Sequence, residues 1–363
     1  MSSRRIGSTA PLSSAGLIDL NDLPIGLIDL ELSMPPTQLV DDTTAFLLRS
    51  DQGPPAAVLK VARGPLRAAD LRTQRRVLTE LTIHPGLDDQ WRELLPRVLA
   101  FDERADATVS LESYLPGTDL AEALARHPNR VEELTAAALR AIAPLHRRTA
   151  TVVVVDNVCL LRRWVLEPLA GLTEMCRRLD PGMLPEVDRM GTMLRQELIG
   201  RRMAVSWTHG DYTPGKVRVA SVRGPVTGIV DWGGARPGQP ALIDEYLMIL
   251  TASCQAQRAD LGTVVSQRLL QGGLSDRERN ARRSGRDRTD ANADDYPRID
   301  ERIDERVAIL LTWLHHAGDL WRKCVTHPNH HVWWATNVAP VLDAVAGSGM
   351  EALGSRAGAR RGT

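Results

Sequence analysis

Short apolar runs separated by turn residues open the chain. Thr44–Leu48, Ala57–Val61, Val98–Phe101 and Val109–Glu112 have strand lengths, and between the second and third lies Leu66–Leu81, where Leu71, Val77, Leu78 and Leu81 recur at helical spacing. The pattern predicts strand, strand, helix, strand, strand from Thr37 to Leu115, an antiparallel sheet with one helix. Beyond Leu120 the period becomes helical, with Ala121–Arg126, Val131–His146, Arg162–Leu179, Arg306–Trp321 and Trp334–Val345 as candidates. Two short strands, Val217–Ala220 and Val226–Val230, interrupt the helices and are joined by a Gly-Pro turn. Near the start, Gly16–Leu20 recurs as Gly26–Leu30, which predicts a hairpin or edge element, since two copies are too few for a repeat architecture. The stretch from Ser275 to Glu305 is charged and poor in apolar residues, so little burial offsets the entropy of ordering it. It reads as a disordered insertion over residues 276–295, with a solvated helix as the other reading. Residues 1–15 and 347–363 read as a flexible start and tail.

A length of 363 residues suffices for two lobes. The 45 basic side chains balance the 45 acidic ones, so bulk charge draws the chain to neither nucleic acid nor an anionic membrane. Four scattered cysteines without C-x-x-C spacing argue against a zinc site or a disulfide framework. With no leader and no apolar run of membrane-spanning length, the expectation is a soluble, cytoplasmic protein. Only three basic residues are lysine (Lys60, Lys216 and Lys323), so a lysine here reads as placed for its compact ammonium.

The chemistry concentrates in Thr208–Lys216 and Ile229–Trp232, which set Asp211 and Asp231 twenty residues apart around the short strand pair. Phosphoryl transfer needs one carboxylate to orient the acceptor hydroxyl and take its proton, and another to hold Mg²⁺. Asp211 suits the first task and Asp231 the second, although Asp is also a common turn and cap residue. Lys60 stands in an alternating apolar strand, where a cation is costly unless paired or facing a cleft. It reads as an ammonium for nucleotide phosphates, the bland alternative being a strand-edge lysine reaching water. His209 reads as a structural residue of its loop. His315–His316 and His327–His331 read as helix-surface and loop histidines, and Trp313, Trp321, Trp333 and Trp334 as core residues that also wall an acceptor cleft.

At these residues the chain resembles the aminoglycoside phosphotransferase and choline kinase-like family, whose signature is His-Gly-Asp, four residues, Asn, then a strand pair ending in Asp. Val58–Val61 resembles the family's lysine strand, Leu111–Gly117 its hinge, and Gly238-Gln239-Pro240 with Asp244 its following segment. The resemblance implies an α/β (α+β), two-lobed protein-kinase-like fold. An antiparallel nucleotide-binding lobe would span residues 16–116 and a mainly helical catalytic lobe residues 117–346. It implies an ATP- or GTP-dependent phosphotransferase acting on a hydroxyl of a small molecule, a natural-product intermediate or a peptide Ser/Thr. Lys60, Glu112 and Tyr114 would hold nucleotide, Asp231 would hold Mg²⁺, and Asp211 and Lys216 would serve catalysis. Three departures stand out. Lys216 replaces the metal-binding Asn, Gln74 falls where a helix Glu would orient the lysine, and Ser33–Leu39, at the phosphate-covering loop, lacks glycine. The Lys216 ammonium either replaces a metal electrostatically, pairs with Asp231 or Asp211, or points to solvent. The second placement implies a degenerate kinase-like protein, a nucleotide-binding or scaffold subunit with a protein partner in a biosynthetic complex.

Overall fold

A computed structural model describes residues 29–32, 43–49, 55–105, 107–156, 158–286, 303–324 and 330–347. The chain divides into two compact units, Met1–Arg75 with Pro96–Tyr114 and Arg76–Leu95 with Leu115–Thr363.

The first unit holds one antiparallel sheet of β1 (Asp29–Leu32), β2 (Thr43–Arg49), β3 (Pro55–Ala62), β4 (Val98–Glu103) and β5 (Thr108–Ser113), in the order β1-β2-β3-β5-β4. The end of the second Gly-Leu-Ile-Asp-Leu copy lies in edge strand β1, paired with β2; the first copy and Ser33–Leu39 lie outside the described residues. Side chains alternate across a strand, so Ala57, Leu59 and Val61 pack on Leu48, Val109 and Leu111 on one face, and Lys60, Ser110 and Glu112 project from the other. Helix α1 (Pro65–Ile83) starts in this unit, with Leu71, Gln74, Leu78 and Leu81 along its buried stripe.

The second unit begins with α2 (Asp89–Arg92), β6 (Thr118–Asp119), α3 (Leu120–Arg126), α4 (Val131–Arg148), β7 (Thr151–Val154), α5 (Glu167–Leu179) and α6 (Leu184–Leu198). It continues through β8 (Arg202–Thr208), β9 (Val217–Val219), β10 (Val226–Ile229), β11 (Arg236–Pro240), α7 (Leu242–Gln257), α8 (Leu261–Leu270), α9 (Asp276–Arg286), α10 (Glu305–Cys324), α11 (His330–Asn337) and α12 (Ala339–Gly347). Two small antiparallel sheets, β10-β9-β6 and β11-β8-β7, carry the loops that hold Asp211 and Asp231. The unit's core includes the apolar residues of α7 and α10, among them Met248, Leu250, Leu310 and Leu314. Among the described residues, no helix is long and apolar enough to cross a membrane.

Two segments differ from the expectation. The charged run expected to be disordered opens instead as α9, and its later residues, 287–295, lie outside the described set. Its charges are satisfied within the protein. Glu278 accepts from Ser253, Arg268 and the Ser275 backbone, while Arg282 and Arg286 both reach Glu245. Small residues then admit close packing, since a Cβ at Gly285 would lie 2.5 Å from Leu139 of α4. The single helix expected over Trp334–Val345 is divided at Val338 into α11 and α12.

Candidate functional site

The loop after β8 is fixed from below by one carboxylate. Asp244, at the start of α7 and fully buried, accepts the backbone N–H of His209 at 2.7 Å and of Gly210 at 2.9 Å, and lies 2.9 Å from His146 Nε2. Gly210 has φ +78°, and a Cβ there would sit 2.2 Å from the Gly234 carbonyl oxygen, so backbone conformation and space both demand glycine. The next residue, Asp211, is therefore presented by a loop pinned on both sides.

His209 ties this loop to the one carrying Asp231. Its Nε2 lies 2.9 Å from the Val230 carbonyl, which can only accept, so Nε2 carries the proton; Nδ1 accepts the Asp211 N–H at 3.3 Å. Both ring nitrogens are thus used by the neutral imidazole. Burial lowers the His209 pKa, against the opposing pull of Asp244, so the ring serves as a neutral staple rather than a proton carrier. Trp232 packs on it at 4.7 Å between ring centroids and donates its indole N–H to the Ile229 carbonyl at 2.8 Å. Tyr212, also buried, donates its hydroxyl to the Ala138 carbonyl of α4 at 2.7 Å.

The ladder of β9 and β10 decides where Lys216 goes. Ile229 pairs with Val217, and the Val230 N–H donates to the Lys216 carbonyl at 2.9 Å, so Asp231 emerges beside the lysine. The ammonium lies 2.8 Å from Asp231 Oδ2. Of the three placements read from the sequence, this is the pairing with Asp231. Asp231 has φ +65° and ψ +59°, left-handed backbone that Asp tolerates better than most residues but that still costs about 1 kcal/mol. That geometry aims the carboxylate at this position.

Asp211 lies beside a residue read as a helix-surface histidine. His316 Nδ1 on α10 is 3.7 Å from Asp211 Oδ1. Spacing held part of this signal, because Trp313, His316 and Leu320 follow one helical face; its meeting with Asp211 is a tertiary fact.

In the first unit, Lys60 is paired across the sheet. Its ammonium is 3.1 Å from Glu112 Oε2, and the other carboxylate oxygen accepts from Gln74 Nε2 at 2.5 Å and Ser110 Oγ at 3.2 Å. The Glu112 carboxylate, expected at a nucleotide hinge, is thus the counter-ion of Lys60, and Gln74 braces that carboxylate. The Tyr114 N–H donates to the Ala56 carbonyl at 3.1 Å, so this donor belongs to the sheet edge.

The resemblance implies Mg²⁺ on Asp231, and the donor set does not fit it. One carboxylate remains of the family's pair of ligands, and its Oδ2 is hydrogen-bonded to an ammonium whose charge opposes a second cation there.

Comparisons with known proteins agree with the fold. The model of the phosphotransferase enzyme family matches residues 37–278. No sequence match to a curated protein is found. The apo form of a thermostable mutant of aminoglycoside phosphotransferase APH(4)-Ia is similar with a TM-score of 0.54 at 16% identity, over 89% of this chain and 95% of that one. A ternary complex of another such mutant with ADP and hygromycin B gives 0.54 at 12% identity, over 88% of this chain and 95% of that one. At these identities the likeness establishes the fold, a kinase-like α+β fold with an antiparallel sheet and many helices.

Proposed function

Given that the chain belongs to the phosphotransferase enzyme family, we propose that it transfers a phosphoryl group from ATP or GTP to a hydroxyl, with Lys216 as the cation at Asp231. The observation that carries this reading is the pinned presentation of Asp211. A carboxylate held by the His209 staple and the buried Asp244 is pre-organised, and pre-organised positioning is most of what phosphoryl transfer asks of a protein.

In this reading Lys60, oriented by Glu112, contacts nucleotide phosphates. Asp211 accepts a hydrogen bond from the acceptor hydroxyl and takes its proton as the new O–P bond forms and the γ-phosphorus bond to the β–γ bridging oxygen breaks, releasing ADP or GDP. The Lys216 ammonium gives charge-assisted hydrogen bonds to oxygens of the transferring group. Since the donor set does not fit a protein-held metal, each of these contributions is assigned to a side chain. The acceptor is a small molecule, and a natural-product intermediate or a peptide Ser/Thr has the same reacting group.

One observation favours a second reading. The 2.8 Å contact of Lys216 with Asp231 supports it, since an ammonium on that carboxylate competes with the metal that the family resemblance implies there, as expected of a degenerate kinase-like protein that binds nucleotide or serves as a scaffold subunit. Thermal-shift titration with ATP, with and without Mg²⁺, together with an assay for ADP release, separates the two. Stabilisation of the wild type by ATP, with turnover lost in Asp211→Asn, supports the transferase. No shift in the wild type, with a Mg²⁺-dependent shift in Lys216→Asn, assigns the lysine to blocking the position and supports the degenerate protein.

A further inference from the structure

A cavity of about 200 Å³ opens among α7, α8, α10 and α11, within the second unit. It is built by a close approach. Gly262 lets α8 lie against the end of α11, where a Cβ would stand 2.4 Å from the Thr336 carbonyl oxygen. One wall is aromatic and apolar, formed by Trp313, Trp333 and Leu320. Trp313 is locked by its indole N–H, which donates to the Asn337 carbonyl at 3.0 Å. His316 also lines the cavity, and its Nδ1 is the atom 3.7 Å from Asp211.

Charge in this cavity is sparse. Asp260 is the one acidic residue among its lining groups, and the Cys254 thiol is kept neutral, pushed up to about 12 by burial with a further push from Asp260. Asp260 occupies the N-cap position of α8 without capping it with its side chain, so its exposed carboxylate is not spent on the helix terminus. Gln255 adds an amide on the same rim. The volume is below the roughly 300 Å³ at which drug-sized ligand pockets begin, which suits one ring-sized group.

We propose that this cavity recognises the acceptor, and that the acceptor is an amphipathic monocation. A single apolar or aromatic ring would lie against the wall of Trp333 and Leu320, one ammonium would meet Asp260, and a hydroxyl would point toward His316, the lining residue that lies beside Asp211. This rests on the phosphotransferase reading and narrows it. A polycationic aminosugar needs several carboxylates to offset its desolvation, and the cavity supplies one. An aromatic and apolar wall beside one carboxylate instead matches a ring bearing a single cation.

The test is thermal-shift and calorimetric titration of the full chain, without nucleotide, using phenylalaninol, N-acetylphenylalaninol and gentamicin. Phenylalaninol carries a ring, one ammonium and one primary hydroxyl; its N-acetyl form keeps the ring and hydroxyl and loses the charge. Expected are saturable binding of phenylalaninol, about fivefold weaker binding of the N-acetyl form, and a similar loss in Asp260→Asn. Asp260 is exposed and its side chain caps nothing, so this variant keeps the fold. Trp333→Phe, which retains an aromatic wall, should weaken both ring compounds without changing the ratio between them. The proposal is overturned if phenylalaninol fails to bind, if wild type and Asp260→Asn bind it equally, or if gentamicin binds more tightly. Because nucleotide is absent, these outcomes are independent of the ATP response that tests the transferase itself.

Discussion

Lys60 and Lys216 both end on carboxylates, and the two pairs are built differently. Lys60 and Glu112 are 10% and 3% exposed, and the second oxygen of Glu112 is taken by Gln74 and Ser110, so the carboxylate is held through both its oxygens. Lys216 and Asp231 are 18% and 39% exposed and meet through one carboxylate oxygen. A buried, fully hydrogen-bonded pair is costly to break because its remaining partner is left charged in low dielectric. A pair that water reaches on the carboxylate side is partly screened and is worth about 1 kcal/mol or less. The first pair therefore fixes a geometry, whereas the second, reached by water, is the easier of the two to rearrange.

Removing a buried partner should have the largest effect. Glu112→Gln leaves the Lys60 ammonium without its counter-charge and is expected to destabilise the first unit by about 3 kcal/mol, measured by urea unfolding followed through its secondary structure. The double variant Glu112→Gln with Gln74→Glu returns a carboxylate to the cluster and should recover most of the loss. Failure to recover would mean that the strand position of the charge, rather than its presence, is what matters.

A second buried ion cluster tests whether closure is the relevant property. Burial alone would raise the pKa of Glu245, but Arg286 and Arg282 hold it down at about 2, against a reference of 4.5. A depressed folded pKa gives stability that is fully present above pH 4.5 and is lost as pH falls toward 2. Stability should accordingly drop by on the order of 3 kcal/mol across that window, and Glu245→Gln should flatten this part of the curve.

The smallest effect is expected at the open pair. Lys216→Asn should change stability by less than about 0.5 kcal/mol, and the difference should shrink in high salt, as measured by chemical denaturation at two ionic strengths. A loss comparable to that in Glu112→Gln would erase the distinction between the two pairs.

Much of this was legible in the residues. The strand alternation around Lys60, the His-Gly-Asp loop and the return to Asp231 follow from periodicity and turn residues. Other features were written there but are easier to miss. In Thr108–Ser113 the polar residues Ser110 and Glu112 alternate onto one face, and antiparallel pairing of Lys60 with Ser110 brings Glu112 within reach. Ser275-Asp276-Arg277-Glu278 is a capping box, with Glu278 accepting the Ser275 N–H at 2.7 Å, and it announces α9 against the weight of its charge. The placement of Lys216 was not legible, because it depends on a register shift between Val226 and Gly228 that settles which residue faces the lysine. Contact between His316 and Asp211 likewise joins residues over a hundred positions apart, and no local spacing encodes it.

The rarity of lysine gives the Lys216–Asp231 contact an analytical use. An amine-directed reagent finds only three side-chain targets in the whole sequence, and peptide mass mapping distinguishes each of them. Lys60 is 10% exposed against 18% for Lys216, and peptide mapping separates the two, so the acylation rate at Lys216 becomes a reporter of its surroundings. A nucleotide that draws the ammonium onto its phosphates will slow labelling at that residue, and a partner that only opens the pair will speed it. The chain thus carries a native chemical probe beside Asp231.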